Sequence, residues 1–139
     1  MNKILNDFYS LLKERLERRV YTTEDSVRYT FFVALLKQGF NPYEIILEDK
    51  HSEDNKAEVD LHIEPDEKRK GLVIEFKYHR GNRGGKNLNK SKKAGEIFED
   101  IRRLAQFKST NDKYTRLFIY ITNEQMMSYL KRKRNNLVV

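Results

Sequence analysis

A chain of 139 residues, 38% hydrophobic and 12% aromatic, can bury one sizeable core, so a single domain spanning 1–139 is expected and whole-chain disorder is not. With no cysteine, disulfides, zinc–thiolate centres and cysteine nucleophiles are excluded. The net charge of +7 is concentrated, because Asp66 to Lys93 holds ten Lys and Arg against three acidic residues. Such a segment favours a polyanionic partner, above all nucleic acid, and a solvated loop that only aids solubility is the plainer alternative. No apolar run approaches the ~20 residues of a membrane span, and MNKILNDFYSLLKERLERR is amphipathic and dense in both charge signs. No membrane partner is expected, and the expected location is the cytoplasm.

Ile4, Leu5, Phe8, Leu11, Leu12 and Leu16 recur at helical spacing and predict a helix over Asn2 to Arg19, with Asn2 as its cap. A second helix is capped by Thr22 or Thr23, has Glu24 and Asp25 in its first turn, and stops at Gly39. Asn41-Pro42 turns the chain into a short strand, YEIILED. AEVDLHIE alternates strictly and puts Val59, Leu61 and Ile63 on one face. After the turn EPDEKRK comes GLVIEFKYH, with Leu72, Ile74, Phe76 and Tyr78 on one face and Val73, Glu75, Lys77 and His79 on the other.

A flexible, basic, glycine-bearing loop is expected over 80–93. It fails as a phosphate-binding P-loop, since Arg80 occupies the leading glycine position and Asn87 replaces Ser or Thr. From about Lys93 to Phe107 a helix is expected with Ile97, Phe98, Ile101, Leu104 and Ala105 on its apolar face. TRLFIYIT reads as a strand buried on both faces, and NEQMMSYLKRKR as a C-terminal helix capped by Asn123. Tyr29, Phe31, Phe32, Phe98 and Phe107 lie at helical spacings and are assigned to the core. His62 and His79 are expected on the polar faces of their strands as incidental residues. The order predicts an antiparallel three-strand meander, then a helix crossing over to a parallel strand: an α/β sandwich with a mixed sheet and an extra helix at each end.

The two central charges of GLVIEFKYH bear on function. If Glu64 lies opposite Gly71, the apolar faces of the two strands match, Asp60 falls opposite Glu75, and Glu58 falls opposite Lys77. Opposed carboxylates repel, and a hard divalent cation such as magnesium removes that repulsion. A slip by two residues also keeps the faces matched and pairs Asp60 with Lys77 as an ordinary ion pair.

Asp60 followed by Glu75-Phe76-Lys77 resembles the motif of the PD-(D/E)XK nuclease superfamily, which has the restriction-endonuclease-like fold. The run from about 23 to 122 is similar to that fold's α-β-β-β-α-β core, with the acidic residue in the second strand and E-x-K in the third. Val59 stands where the namesake proline would be, and Ala94 to Phe107 lacks the glutamine-plus-tyrosine pattern of some exonuclease branches.

The resemblance implies that Asp60, Glu75 and the backbone carbonyl of Phe76 hold Mg2+, with Mn2+ able to substitute, and that Lys77 acts on the attacking water and the scissile phosphate. Many members add a glutamate from the first core helix. Glu24 fits by its spacing to Val27, Phe31 and Leu35, although a first-turn acid also simply suits the helix dipole. Arg80, Arg83, Lys86, Lys90, Lys92 and Lys93 are the expected nucleic-acid contacts. The expected activity is magnesium-dependent phosphodiester hydrolysis by a DNA endonuclease, restriction-type or structure-selective, on double-stranded or branched DNA. The alternative is a non-catalytic nucleic-acid-binding module of the same fold, and a homodimer is left open.

Overall fold

A computed structural model describes residues 1–50, 58–79 and 90–122. Helix α1 (Asn2–Glu17) and helix α2 (Glu24–Lys37) are followed by a 3-10 turn at Pro42–Glu44 and by strands β1 (Ile46–Lys50), β2 (Glu58–Ile63) and β3 (Gly71–Tyr78). Helix α3 (Lys90–Gln106) then leads to β4 (Tyr114–Ile121). The sheet runs β1-β2-β3-β4, with β1/β2 and β2/β3 antiparallel and β3/β4 parallel. The molecule is therefore a mixed α/β structure with a four-stranded mixed sheet flanked by helices. Among the described residues no helix is long and apolar enough to cross a membrane.

Local chemistry explains the helix ends. Thr23 caps α2 by accepting from Ser26 N–H, and Ser26 Oγ accepts from Thr23 N–H in return, which satisfies two donors the helix start leaves open. Gly39 follows α2 at φ +92, a conformation without penalty only for a residue lacking Cβ. The expected cap at Asn2 is not formed: α1 starts one residue earlier in effect, with Met1 in the cap position and no side-chain cap bond.

The two sheet faces are covered differently. Ile4, Phe8 and Leu12 of α1 and Val27, Phe31, Ala34 and Leu35 of α2 pack on Leu61, Ile63, Leu72, Ile74 and Phe76. On the other face, Leu104 and Phe107 pack with Val59, Val73 and Tyr114, and Ala94 and Ile97 pack near Phe118 and Tyr120.

Val59 thus departs from the expected alternation with Leu61 and Ile63. The strand pleat is interrupted where Glu48, at φ +55, falls between the paired residues Leu47↔Leu61 and Asp49↔Val59. There the Asp60 carboxylate, rather than a β2 carbonyl, accepts the Phe76 N–H at 2.7 Å.

Three further expectations are corrected. Ala94, Ile97, Asp100 and Leu104 form the buried stripe of α3, continued by Phe107 just past its end, while Phe98, Ile101 and Ala105 are exposed. The 3-3-4-3 spacing of the buried set follows one helical face, and the apolar set chosen from composition straddles two. Tyr29 is also exposed rather than core, whereas Phe31 and Phe107 are fully buried and Phe32 is partly so. Finally, β4 is an edge strand among the described residues, and beyond Tyr114 its side chains are half-buried. The expected C-terminal helix with its Asn123 cap lies outside the described residues.

Candidate functional site

β3 carries the centre of the site. Glu75 and Lys77, two apart, share the face under α3, which a strand's period of two requires. The observed pairs Leu61↔Ile74, His62↔Val73 and Ile63↔Leu72 are those of the register with Asp60 toward Glu75, and the two-residue slip is not adopted. Beyond Leu61 the pairing gives way, so Asp60 meets β3 through its side chain on Phe76 N–H.

Each acidic group is held by a named partner. Glu24, first residue of α2, accepts the Tyr78 N–H at 3.1 Å and lies 3.9 Å from Lys77 Nζ. Asp60 Oδ1 is 3.9 Å from Arg28 Nη1, and that buried guanidinium also binds Asp25 at 2.7 Å and Glu48 at 3.1 Å. Lys77 does not pair with Asp60. Its ammonium is 3.1 Å from Asp100 Oδ2, and Asp100 also takes Arg103.

Glu75 is only 4% exposed. Burial, then the charge of Asp60 and the hydrogen bond that the protonated Glu75 carboxyl donates to it, then Asp100, push the Glu75 pKa up to about 9, with Arg103 offsetting little. Burial also raises Glu24, against the opposing pull of Tyr78 N–H and Lys77. For Lys77, burial alone favours the neutral amine, but the Asp100 bond and the charges of Glu24, Asp100 and Glu96 outweigh it and raise its pKa. His79 is lowered, first by burial and then by Lys93 and Lys77.

Glu24, Asp60, Glu75 and Lys77 are therefore neighbours, joined by Asp100, Arg28 and Arg103, none of which the sequence reading singled out. The signal for them existed: Arg28 and Asp100 are charged residues on otherwise apolar helical stripes, where a full charge is rare unless paired. Among the described residues no group of three or more Asp, Glu or His side chains is arranged to hold one ion. The donor set nonetheless suits Mg2+ or Mn2+ chemically, being carboxylate oxygens, and burial together with the charge of Asp60 favours protonation of Glu75 where no cation offsets them.

Of the expected nucleic-acid contacts, Arg80, Arg83 and Lys86 lie outside the described residues. Lys90 begins α3, with Lys92 and Lys93 in its first turn, and α3 has no acidic residue there. His62 is not on a solvated polar face. It is fully buried, with Nδ1 2.7 Å from Asp49 Oδ2 and Nε2 3.0 Å from the Tyr114 hydroxyl. His79 Nδ1 lies 2.8 Å from the Tyr120 hydroxyl.

Comparison of the chain with protein-family models, with curated proteins and with solved structures found no match.

Proposed function

We propose that this protein is a magnesium-dependent nuclease of the PD-(D/E)XK kind that hydrolyses phosphodiester bonds in DNA. The observation carrying this reading is that Asp60, just past the end of the β2/β3 ladder, meets β3 at the Phe76 N–H and the Glu75 carboxyl, with Lys77 two residues on from Glu75 along the same strand face. The order α2-β1-β2-β3-α3-β4 and the approach of Glu24 to Lys77 support it.

Asp60, Glu75, the Phe76 carbonyl and Glu24 are the groups that would hold Mg2+ or Mn2+. A bound ion would supply Lewis acidity and a water of lowered pKa. Lys77 contributes a fixed positive charge against the negative charge that grows on the scissile phosphate, and Asp100 keeps that ammonium charged and in place. Arg28 holds Asp60 toward the sheet from α2.

A second reading, a nucleic-acid-binding module that does not cleave, is favoured by one observation: no three acidic groups are drawn together for an ion among the described residues. A panel of linear, nicked, branched and single-stranded DNA with magnesium, manganese or chelator separates the two. Under the nuclease reading Lys77→Ala retains DNA affinity and loses single-turnover rate by orders of magnitude, since its ammonium acts on the transition state. A Lys77→Ala protein that cleaves at the parental rate sinks the reading.

A further inference from the structure

Beside the carboxylate cluster, a cleft of about 370 Å³ opens at the C-terminal end of β3, lined by Tyr21, Thr23, Glu24, Tyr78, His79 and Lys93. Its size is within the range of small-ligand pockets. Ligand crevices of α/β sheets lie outside the carboxyl ends of parallel strands, and β3 and β4 are a parallel pair ending here. The first turns of α2 and α3 both reach it, through Thr23 and Glu24 and through Lys93. Lys93 puts a cation on the cleft wall for a phosphate, beside Glu24 and His79, while the charge of Lys77 nearby is taken up by Asp100 and Glu24.

Tyr21 is 68% exposed although its neighbour Thr22 is buried, so an aromatic ring stands at the rim on a rigid support. Thr22 is held by Arg15 Nε and by its own bond to the Val20 carbonyl, which anchors the backbone beneath that ring. An aromatic platform beside a lysine is the combination that takes an unstacked base and its phosphate. A base paired and stacked within a duplex has both faces covered by its neighbours and offers none to the ring.

We propose that this cleft binds one unpaired nucleotide, its phosphate at Lys93 and its base against Tyr21, so that the preferred substrate is DNA with single-stranded character next to the cleaved bond. The substrate preference rests on the nuclease reading, because Glu24 is shared between the cleft and the carboxylate cluster; the binding itself does not.

The test is equilibrium binding in chelator, where nothing is cleaved, of a blunt duplex and of the same duplex carrying a short single-stranded tail. The parent is expected to bind the tailed form about tenfold more tightly. Tyr21→Ala removes that preference and Tyr21→Phe keeps it. Lys93→Ala makes the salt dependence of binding to the tail shallower by about 0.7 in log–log slope. Equal binding of the two duplexes by the parent overturns the cleft, as does a Tyr21→Ala protein that still prefers the tail. So does an unchanged slope in Lys93→Ala.

Cleavage with magnesium is then measured separately. A protein that shows the tail preference and its loss in Tyr21→Ala, yet cuts no DNA, overturns the nuclease reading and leaves the nucleotide cleft standing. One that cuts tailed and blunt duplex equally overturns the substrate preference.

Discussion

At the scale of single residues, Glu75 is the most informative group. A buried carboxyl beside Asp60 is easier to protonate than to ionise, and its folded-state value of about 9 lies above the ordinary 4.5. Between those two values the folded protein binds a proton that the unfolded chain has released. The stability this proton supports is complete below pH 4.5 and is lost progressively as pH rises toward 9. In metal-free protein the urea midpoint is therefore expected to decline across that window. Glu75→Gln, neutral throughout, should flatten the decline and be the more stable form at its alkaline end. A parental midpoint that is flat over the same window would show that Glu75 ionises without cost. Asp100, also buried, lies instead beside two cations, Lys77 and Arg103.

At the scale of elements, the meeting of β3 and β4 depends on a missing side chain. Gly71 pairs with Tyr114, whose ring lies against it and reaches His62 and Glu64 through its hydroxyl, at 3.0 and 2.7 Å. A Cβ at position 71 would stand 2.6 Å from that ring and 2.8 Å from the Ile63 carbonyl oxygen. The ring could turn only by leaving His62, and the carbonyl belongs to the paired strand, so neither yields cheaply. Gly71→Ala should destabilise by about 1–3 kcal/mol in chemical denaturation. Truncating Tyr114 in the same protein should relieve only part of the strain, because the backbone contact remains. A fully tolerated Gly71→Ala would mean that β2 and β3 are freer to separate than their pairing indicates. The same network explains the buried histidine: Asp49 and Tyr114 satisfy both ring nitrogens of His62, so the imidazole holds three strands together without solvent.

For the whole molecule, the proposed metal and the basic segment give separate tests. An ion binding the folded state alone stabilises it by mass action, about 2.7 kcal/mol at one hundred times its dissociation constant. Magnesium or manganese should thus raise the melting temperature, and Asp60→Asn should abolish the rise. Apo stability should change little, since an asparagine oxygen can still accept the Phe76 N–H. A rise that persists in Asp60→Asn would place the ion elsewhere. The loop expected to touch the nucleic-acid backbone is probed by changing Arg80, Arg83 and Lys86 together to Ala. For duplex DNA the log–log salt slope should become shallower by up to about 0.9 for each lost contact. An unchanged slope would assign these residues to solubility alone.

What the amino-acid sequence determined alone was local and periodic. The helix at Glu24–Lys37 follows from Thr23 and Gly39, and the antiparallel partnership of β2 and β3 from two alternating apolar faces across a short turn, while the choice between its two face-matching registers came from the structure. The parallel placement of β4 follows from the length of the crossover. Those signals depend on neighbours within a few residues, or on one short connection, and composition carries them. The tertiary structure decided what lies beyond that range. Which stripe of α3 faces inward could not be read, because Phe98 and Ile101 are as apolar as Ile97 and Leu104. The fit to Val73 and Tyr114 selects the stripe that carries Asp100, and with it the partner of Lys77. The turn of Val59 to the α3 face was hidden for the same kind of reason, since it depends on Glu48 of another strand and on Asp60 taking a backbone donor from β3. Alternation tells which residues could share a face; contacts between distant segments decide which do.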